Sequence, residues 1–324
     1  MKWFRILLIL MCVSTSLPAQ TIGEYSVFTA IAKTRNTKEQ FIVLRSFVKQ
    51  NQRYFLSVSP QSMITRIIRS DTVKLKSAGW STIRSQFSSS PYVLALQQTE
   101  RNSDTLQDAG FKRFRKTQKG IDLTIDLCPS HRPLDRIVFV DMIKELSCEE
   151  KPVPVAISIT GLWMQKHQSD LEWLDSLERV GDLSILWVNH TFHHVVKNNE
   201  PLKMNFMLTP GIDVLSEVLL TEQALLEQHI VPSVFFRFPG LVSDKIVFEK
   251  VLALGIIPIG SDAWLAKGQK AKNGTIVLIH ANGNEPLGIK DFIELLKNKQ
   301  DEVRHKNWEL FDLRESIVDD ESQK

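Results

Sequence analysis

The sequence predicts an α/β protein: a distorted, incomplete (β/α) barrel preceded by a small α+β module. Three observations carry this expectation. After Gly120, short apolar strand runs alternate with helix-period segments, the pattern of parallel strands covered by helices, and its length suits a barrel better than a wide open sheet. Before Gly120, strand-rich runs follow one another with no helix between them. The charge also changes sign there: residues 20–119 hold 17 Lys/Arg against 6 Asp/Glu, and residues 120–324 hold 21 against 31. The net charge of +3 over 324 residues is therefore a cancellation of two unlike halves, and it points to a boundary near residue 119. A composition of 43% hydrophobic and 24% charged residues excludes disorder and collagen-like structure.

The first nineteen residues read as an export signal. Lys2 and Arg5 precede an apolar run over 6–13, and small or turn-forming residues follow to Ala19. The run is too short for a membrane-spanning helix, which needs about 20 apolar residues. An exported chain, periplasmic or secreted, is expected. Cys128 and Cys148 are expected as free thiols, because a helix starting near Arg136 would hold them about 18 Å apart at 1.5 Å per residue.

In residues 20–118, strands are expected at 41–48 and 54–58, joined by the polar turn 49–53, with a third at 64–68. Helices are expected at 80–87 and 92–98. Residues 101–108 read as a polar link, followed by the basic run Lys112, Arg113, Arg115, Lys116 and Lys119. Such a module offers a docking surface for anionic glycan or lipid headgroups. Nucleic acid is not expected as a partner, since no pattern of stacking aromatics accompanies the charge.

In the second region strands are expected at 121–127, 153–159, 183–188, 234–236, 256–259 and 276–279. Helices are expected at 136–146, 170–180, 214–229, 245–254 and 289–298. Residues 316–324 read as an acidic tail. Polar residues cluster where strands end, the position where barrels of this kind place their chemistry. Asp126 follows the first strand, His190 to His194 the third, Arg237-Phe238-Pro239 the fourth, Asp262-Ala263-Trp264 the fifth and His280 the last. His190 and His194 are four apart, so one helical turn would aim both rings at one divalent ion. Asp126, between Ile125 and Leu127, would be a costly lone carboxylate unless something used it. A dense polar loop, Asn282-Gly283-Asn284-Glu285-Pro286, follows His280 and offers Asn282, Asn284 or Glu285 to the site.

Taken in order, Thr124-Ile125-Asp126-Leu127-Cys128-Pro129, His190-Thr191-Phe192-His193-His194, Arg237-Phe238-Pro239-Gly240, Asp262-Ala263-Trp264 and Leu278-Ile279-His280 resemble the five motifs of the polysaccharide deacetylase family, the NodB-homology or carbohydrate esterase family 4 domain. The resemblance covers residues 119–315 and implies a barrel of the NodB-homology type. It also implies a metal-dependent hydrolase that removes N-acetyl groups from an acetylated polysaccharide or oligosaccharide. By the same resemblance His190 and His194 would bind a divalent metal, usually zinc. Asp126 would be the general base that deprotonates the attacking water, held by Arg237, and His280 the general acid, supported by Asp262. Trp264 and Leu278 would form the acetyl slot, with Phe238 and Pro239 beside the substrate.

The first motif departs from the family pattern T-F-D-D-G-P. Leu127 stands where the family has a metal-binding aspartate, and Cys128 where it has glycine. Three readings follow: Cys128, His131 or His193 completes the site, with Glu285 a more distant candidate; two histidines and waters hold the metal; or the chain keeps the fold as a glycan-binding or envelope-assembly protein without the reaction.

Overall fold

The computed structural model describes residues 20–114, 118–146 and 149–322. The export signal and Cys148 therefore lie outside the described residues. Five strands, β1 (Gly23–Thr34), β2 (Gln40–Lys49), β3 (Gln52–Val58), β4 (Thr65–Arg69) and β5 (Val73–Ser77), form an antiparallel sheet in the order β4-β3-β2-β1-β5. Helices α1 (Trp80–Gln86) and α2 (Pro91–Arg101) follow. Ser90 starts α2 by accepting a hydrogen bond from Val93 N, and Pro91, which lacks the N–H that a first turn leaves unused, takes the next position.

The rest of the chain alternates as the sequence predicts: β6 (Gly120–Leu127), α3 (Ile137–Leu146), β7 (Val153–Ile159), α4 (Gly161–Lys166), α5 (Gln168–Arg179), β8 (Leu183–Asn189), α6 (Val214–Glu227), β9 (Phe235–Arg237), α7 (Lys245–Ala253), β10 (Ile257–Ile259), β11 (Ala263–Trp264), β12 (Thr275–His280), α8 (Pro286–Arg304), β13 (Glu309–Leu310) and α9 (Leu313–Ser322). The strands form a parallel sheet in the order β10-β9-β8-β7-β6-β12-β11, with β13 beside β6. This is the curled, incomplete barrel that the alternation predicts.

Period-two alternation decides which residues face the interior. Ile121, Leu123, Ile125 and Leu127 of β6 join the outer hydrophobic layer with Val138, Phe139 and Phe292 of the covering helices. Asp122, Thr124 and Asp126 take the opposite face. The same rule sends Val277 and Ile279 of β12 outward and leaves Leu278 and His280 on the inner face.

Two expectations about the ends of this domain are corrected. Residues 102–114 are not a free linker. Phe111 bridges Ile259 in parallel, Arg113 bridges Thr275 in antiparallel, and Phe114 N donates to Gly274 O at 2.8 Å, so the segment fills the seam between β10 and β12. Gly110 allows the approach: at φ +93 a Cβ would lie 2.3 Å from Pro258 O. Residues 316–322 are likewise no loose tail, because they continue α9, whose Ile317 is fully buried and whose Ser316 donates to Asp122 at 2.7 Å.

The N-terminal sheet is packed onto the barrel in one core. Ile31, Ile42 and Leu44 share a cluster with Phe235, Phe236, Leu254 and Ile257. Arg45, fully buried, crosses the junction: Nε and Nη2 meet Glu222 at 2.7 and 2.9 Å, and Nη1 donates to the carbonyls of Leu44 and Leu254. Tyr25 OH donates to the same carboxylate.

Candidate functional site

The carboxyl ends of β6, β8, β11 and β12 open into a cleft of about 440 Å³ lined by Cys128, Pro129, His193, His194, Val196, Phe206, Gly240, Trp264, His280, Asn284 and Glu285. This volume falls in the usual range for small-ligand sites.

At its floor, Cys128, His190 and His194 bring one sulfur and two nitrogen donors within 4.8 Å of one another. Cys128 Sγ lies 3.5 Å from His190 Nε2, and His190 Nδ1 lies 2.8 Å from Arg237 O, the geometry of a ring N–H donating to a carbonyl and leaving Nε2 free for a cation. The two histidines reach each other without the helical turn that their spacing suggests. No helix spans 190–199; Thr191 and His194 adopt left-handed φ values of +69 and +49, and the rings meet edge-on at 4.9 Å.

Thiolate and imidazole are donors that zinc accepts, and His194 Nε2 is buried with no hydrogen-bond partner among the described residues. The donor set fits a divalent cation. Of the other candidate ligands, His131 is exposed and outside the cluster. His193 lines the cleft but its Nδ1 is paired to Glu217 Oε1 at 2.7 Å. Leu127 faces the outer layer, so the inward position next after Asp126 is 128, and the cysteine stands there.

Burial alone would push the Cys128 thiol up; the charges of His194 and His280 and the hydrogen bond with His190 hold it well below the ordinary thiol range. Reciprocally, burial would lower His194 and His280, but the Cys128 sulfur outweighs it and both are raised, His280 well above the ordinary histidine value.

Asp126 is buried beside this cluster. Its Oδ2 is 3.7 Å from His190 Nε2, and its Oδ1 has no hydrogen-bond partner among the described residues. Arg237, also fully buried, is not in ion-pair contact with it. Its Nη2 donates to Thr124 Oγ1 at 2.8 Å, whereas Nε and Nη1 have no partner among the described residues. Burial draws the Arg237 pKa down, although the Asp126 and Asp108 charges oppose this.

The expected support of His280 by Asp262 is corrected. Asp262 N donates to Ile276 O, which sets the residue level with the start of β12, four residues and about 13 Å of strand from His280. Its Oδ2 pairs with Arg113 Nε in the seam. His280 instead has Glu285 Oε2 2.8 Å from Nδ1, at an angle that makes an ion-pair contact rather than an aligned hydrogen bond. The same oxygen accepts from Trp264 Nε1 at 2.7 Å.

Trp264 lines the cleft with its ring 5.6 Å from His280. Leu278 lies on the same inner face, fully buried below His280 and outside the lining. Phe238 and Pro239 do not line the cleft: Phe238 is stacked on Phe248 and edge-on to Phe236 in the core, and Pro239 is buried at the start of a short 3-10 turn. Phe206 and Gly240 take their place. The sequence carried no signal for Phe206. Asn282 Nδ2 donates to Cys128 O at 2.9 Å, holding the first and last motif loops together.

Residues 25–93 match the family described as the RP012 protein N-terminal domain. Among solved structures the chain is similar to a family 4 carbohydrate esterase from Bacillus anthracis, at 17% identity and a TM-score of 0.46, over 69% of this chain and 91% of that one. It is similar to Bacillus subtilis PdaA, a family 4 carbohydrate esterase, at 16% identity and a TM-score of 0.48, over 69% and 89%. A third is BA3943, a CE4 family pseudoenzyme from Bacillus anthracis, at 12% identity and a TM-score of 0.44, over 64% and 68%.

Proposed function

We propose that the chain is an exported, metal-dependent amide hydrolase that removes acetyl groups from an N-acetylated glycan. The observation that carries this reading is the convergence of Cys128, His190 and His194 beside His280 and an Asp126 oxygen with no hydrogen-bond partner among the described residues. Cys128, His190 and His194 would hold the cation, zinc by the softness of the sulfur donor. When bound, such a cation supplies a Lewis acid for the acyl oxygen and a water that ionises near neutral pH.

The chain's own residues supply the proton transfers. Asp126 Oδ1 takes the proton of the attacking water. Arg237 puts a buried positive charge within electrostatic reach of Asp126. His280, held in its protonated form beside Cys128 and Glu285, gives a proton to the leaving amine, without which an amide nitrogen departs poorly. Trp264 walls the cleft next to His280, where the acyl methyl and sugar ring would be packed. The exposed basic residues of the first sheet, among them Lys33 opposite Lys74, form a face suited to an anionic envelope polymer or lipid surface.

The reading is tested by acetate release from N-acetylglucosamine oligomers. Release should stop on chelation and return with zinc. Absence of release from metal-loaded protein would leave the fold in service of glycan binding, the function of a different class that the missing aspartate at position 127 also allows.

A further inference from the structure

We infer that Glu285, and not Asp262, is the positioning residue for His280. The inference rests on the hydrolase reading of this cleft and names how its proton donor is held. Glu285 Oε2 receives two groups at once, His280 Nδ1 at 2.8 Å and Trp264 Nε1 at 2.7 Å. The indole N–H fixes the carboxylate, and the carboxylate fixes the imidazole. His280 Nδ1 thus sits in ion-pair contact with that oxygen, off the hydrogen-bond axis, and the ring is held with Nε2 as the nitrogen left to serve the cleft.

The backbone explains why position 285 can do this. Glu285 immediately precedes α8, with Pro286 in the first turn, and its carbonyl accepts from Gly288 N. A carboxylate at a helix start is favoured by the unpaired N–H groups and dipole there. Gly283, at φ +74, turns the chain between His280 and that helix, and its N–H donates to Asp135 Oδ2 at 2.8 Å. Five residues of loop therefore return the chain to the histidine they left. Asp262 is spoken for elsewhere: level with Ile276, it closes the seam with Arg113. Trp264, two residues beyond Asp262 and paired in register with Leu278, still reaches the cleft, but as the donor that orients Glu285.

The experiment compares Glu285→Gln, Glu285→Ala, Glu285→Asp and Asp262→Asn in the metal-loaded full chain by two independent readouts. In proton–nitrogen NMR of labelled histidine, the ring signals of His280 should shift in Glu285→Gln and stay at their wild-type positions in Asp262→Asn. In acetate release, Glu285→Gln and Glu285→Ala should lower kcat by at least about tenfold, against the ~10⁴ that a lost orienting carboxylate costs in a Ser-His-Asp triad. KM should stay within about twofold, Glu285→Asp should regain part of kcat, and Asp262→Asn should keep kcat within about twofold. His280 ring signals unmoved by Glu285→Gln overturn the inference, as does an Asp262→Asn loss equal to that of Glu285→Gln. Should the wild type release no acetate, the hydrolase reading fails by itself, and the NMR comparison still decides the Glu285 contact.

Discussion

Among the described residues two arginines are completely buried, and they are satisfied in opposite ways. Arg45, at the junction of the first sheet and the barrel, uses its guanidinium on Glu222 and two backbone carbonyls. Arg237, at the carboxyl end of β9, spends one nitrogen on Thr124 and leaves Nε and Nη1 without partners among the described residues. Asp126 Oδ1 and His194 Nε2 nearby are left in the same way. A buried polar group without a partner costs about 1–3 kcal/mol, more if charged. A region where such costs collect is one whose partners arrive from outside; a region where every donor is used is architecture. The contrast separates the glue from the site inside one continuous core.

The sharpest way to break the comparison is Asp126→Asn. If the site is built for chemistry, acetate release falls by about 10²–10⁴-fold, the range of general acid–base contributions, while the thermal midpoint holds, because Asp126 Oδ1 has no hydrogen bond among the described residues to lose. A midpoint that collapses with activity would make Asp126 structural.

Glu222→Ala should do the reverse. Removing one partner of a buried pair leaves Arg45 uncompensated at a cost of about 3–5 kcal/mol, read as a lower midpoint in urea. The double variant Arg45→Met with Glu222→Leu should recover most of that loss. At the start of α2, Ser90→Ala should cost about 1 kcal/mol through the lost cap, with acetate release unchanged in folded protein. Arg113→Ala opens an ion pair in which the arginine side chain is 47% exposed. Its stability effect should stay under about 1 kcal/mol, and kcat should hold, since Asp262 does not support His280.

The parallel alternation after Gly120 was legible because short apolar strand runs, such as those of β6 and β12, alternate with segments of helical spacing such as α5 and α6. Strand β1 was not. Its register with β2 shifts between Gly23 and Ser26 and again between Val27 and Ala30, and each bulge breaks the period by which a strand is read. The seam was hidden by charge: Phe111 and Phe114 do the packing, while Lys112, Arg113, Arg115 and Lys116 around them suggest a solvated run.

In the site, motif positions pointed to Asp126, His190, His194 and His280; His194 and His280 line the cleft, and His190 and Asp126 lie beneath them next to Cys128. Strand parity then favours Cys128 over His131 and His193, since 126 and 128 share a face and 127 does not. Glu285 was visible only as one polar residue in a polar loop, because what singles it out is the return of the chain at α8. Phe238 was misplaced since an aromatic beside a motif arginine reads equally well as lining or as core.

The central claim, that Cys128, His190 and His194 hold a metal through a thiolate, is tested most directly by loading the purified chain with cobalt(II) and recording its absorption spectrum. The account predicts about one ion per chain and a sulfur-to-metal charge-transfer band in the near ultraviolet that disappears in Cys128→Ser. A chain that retains no cobalt, or one whose band survives Cys128→Ser, would contradict it.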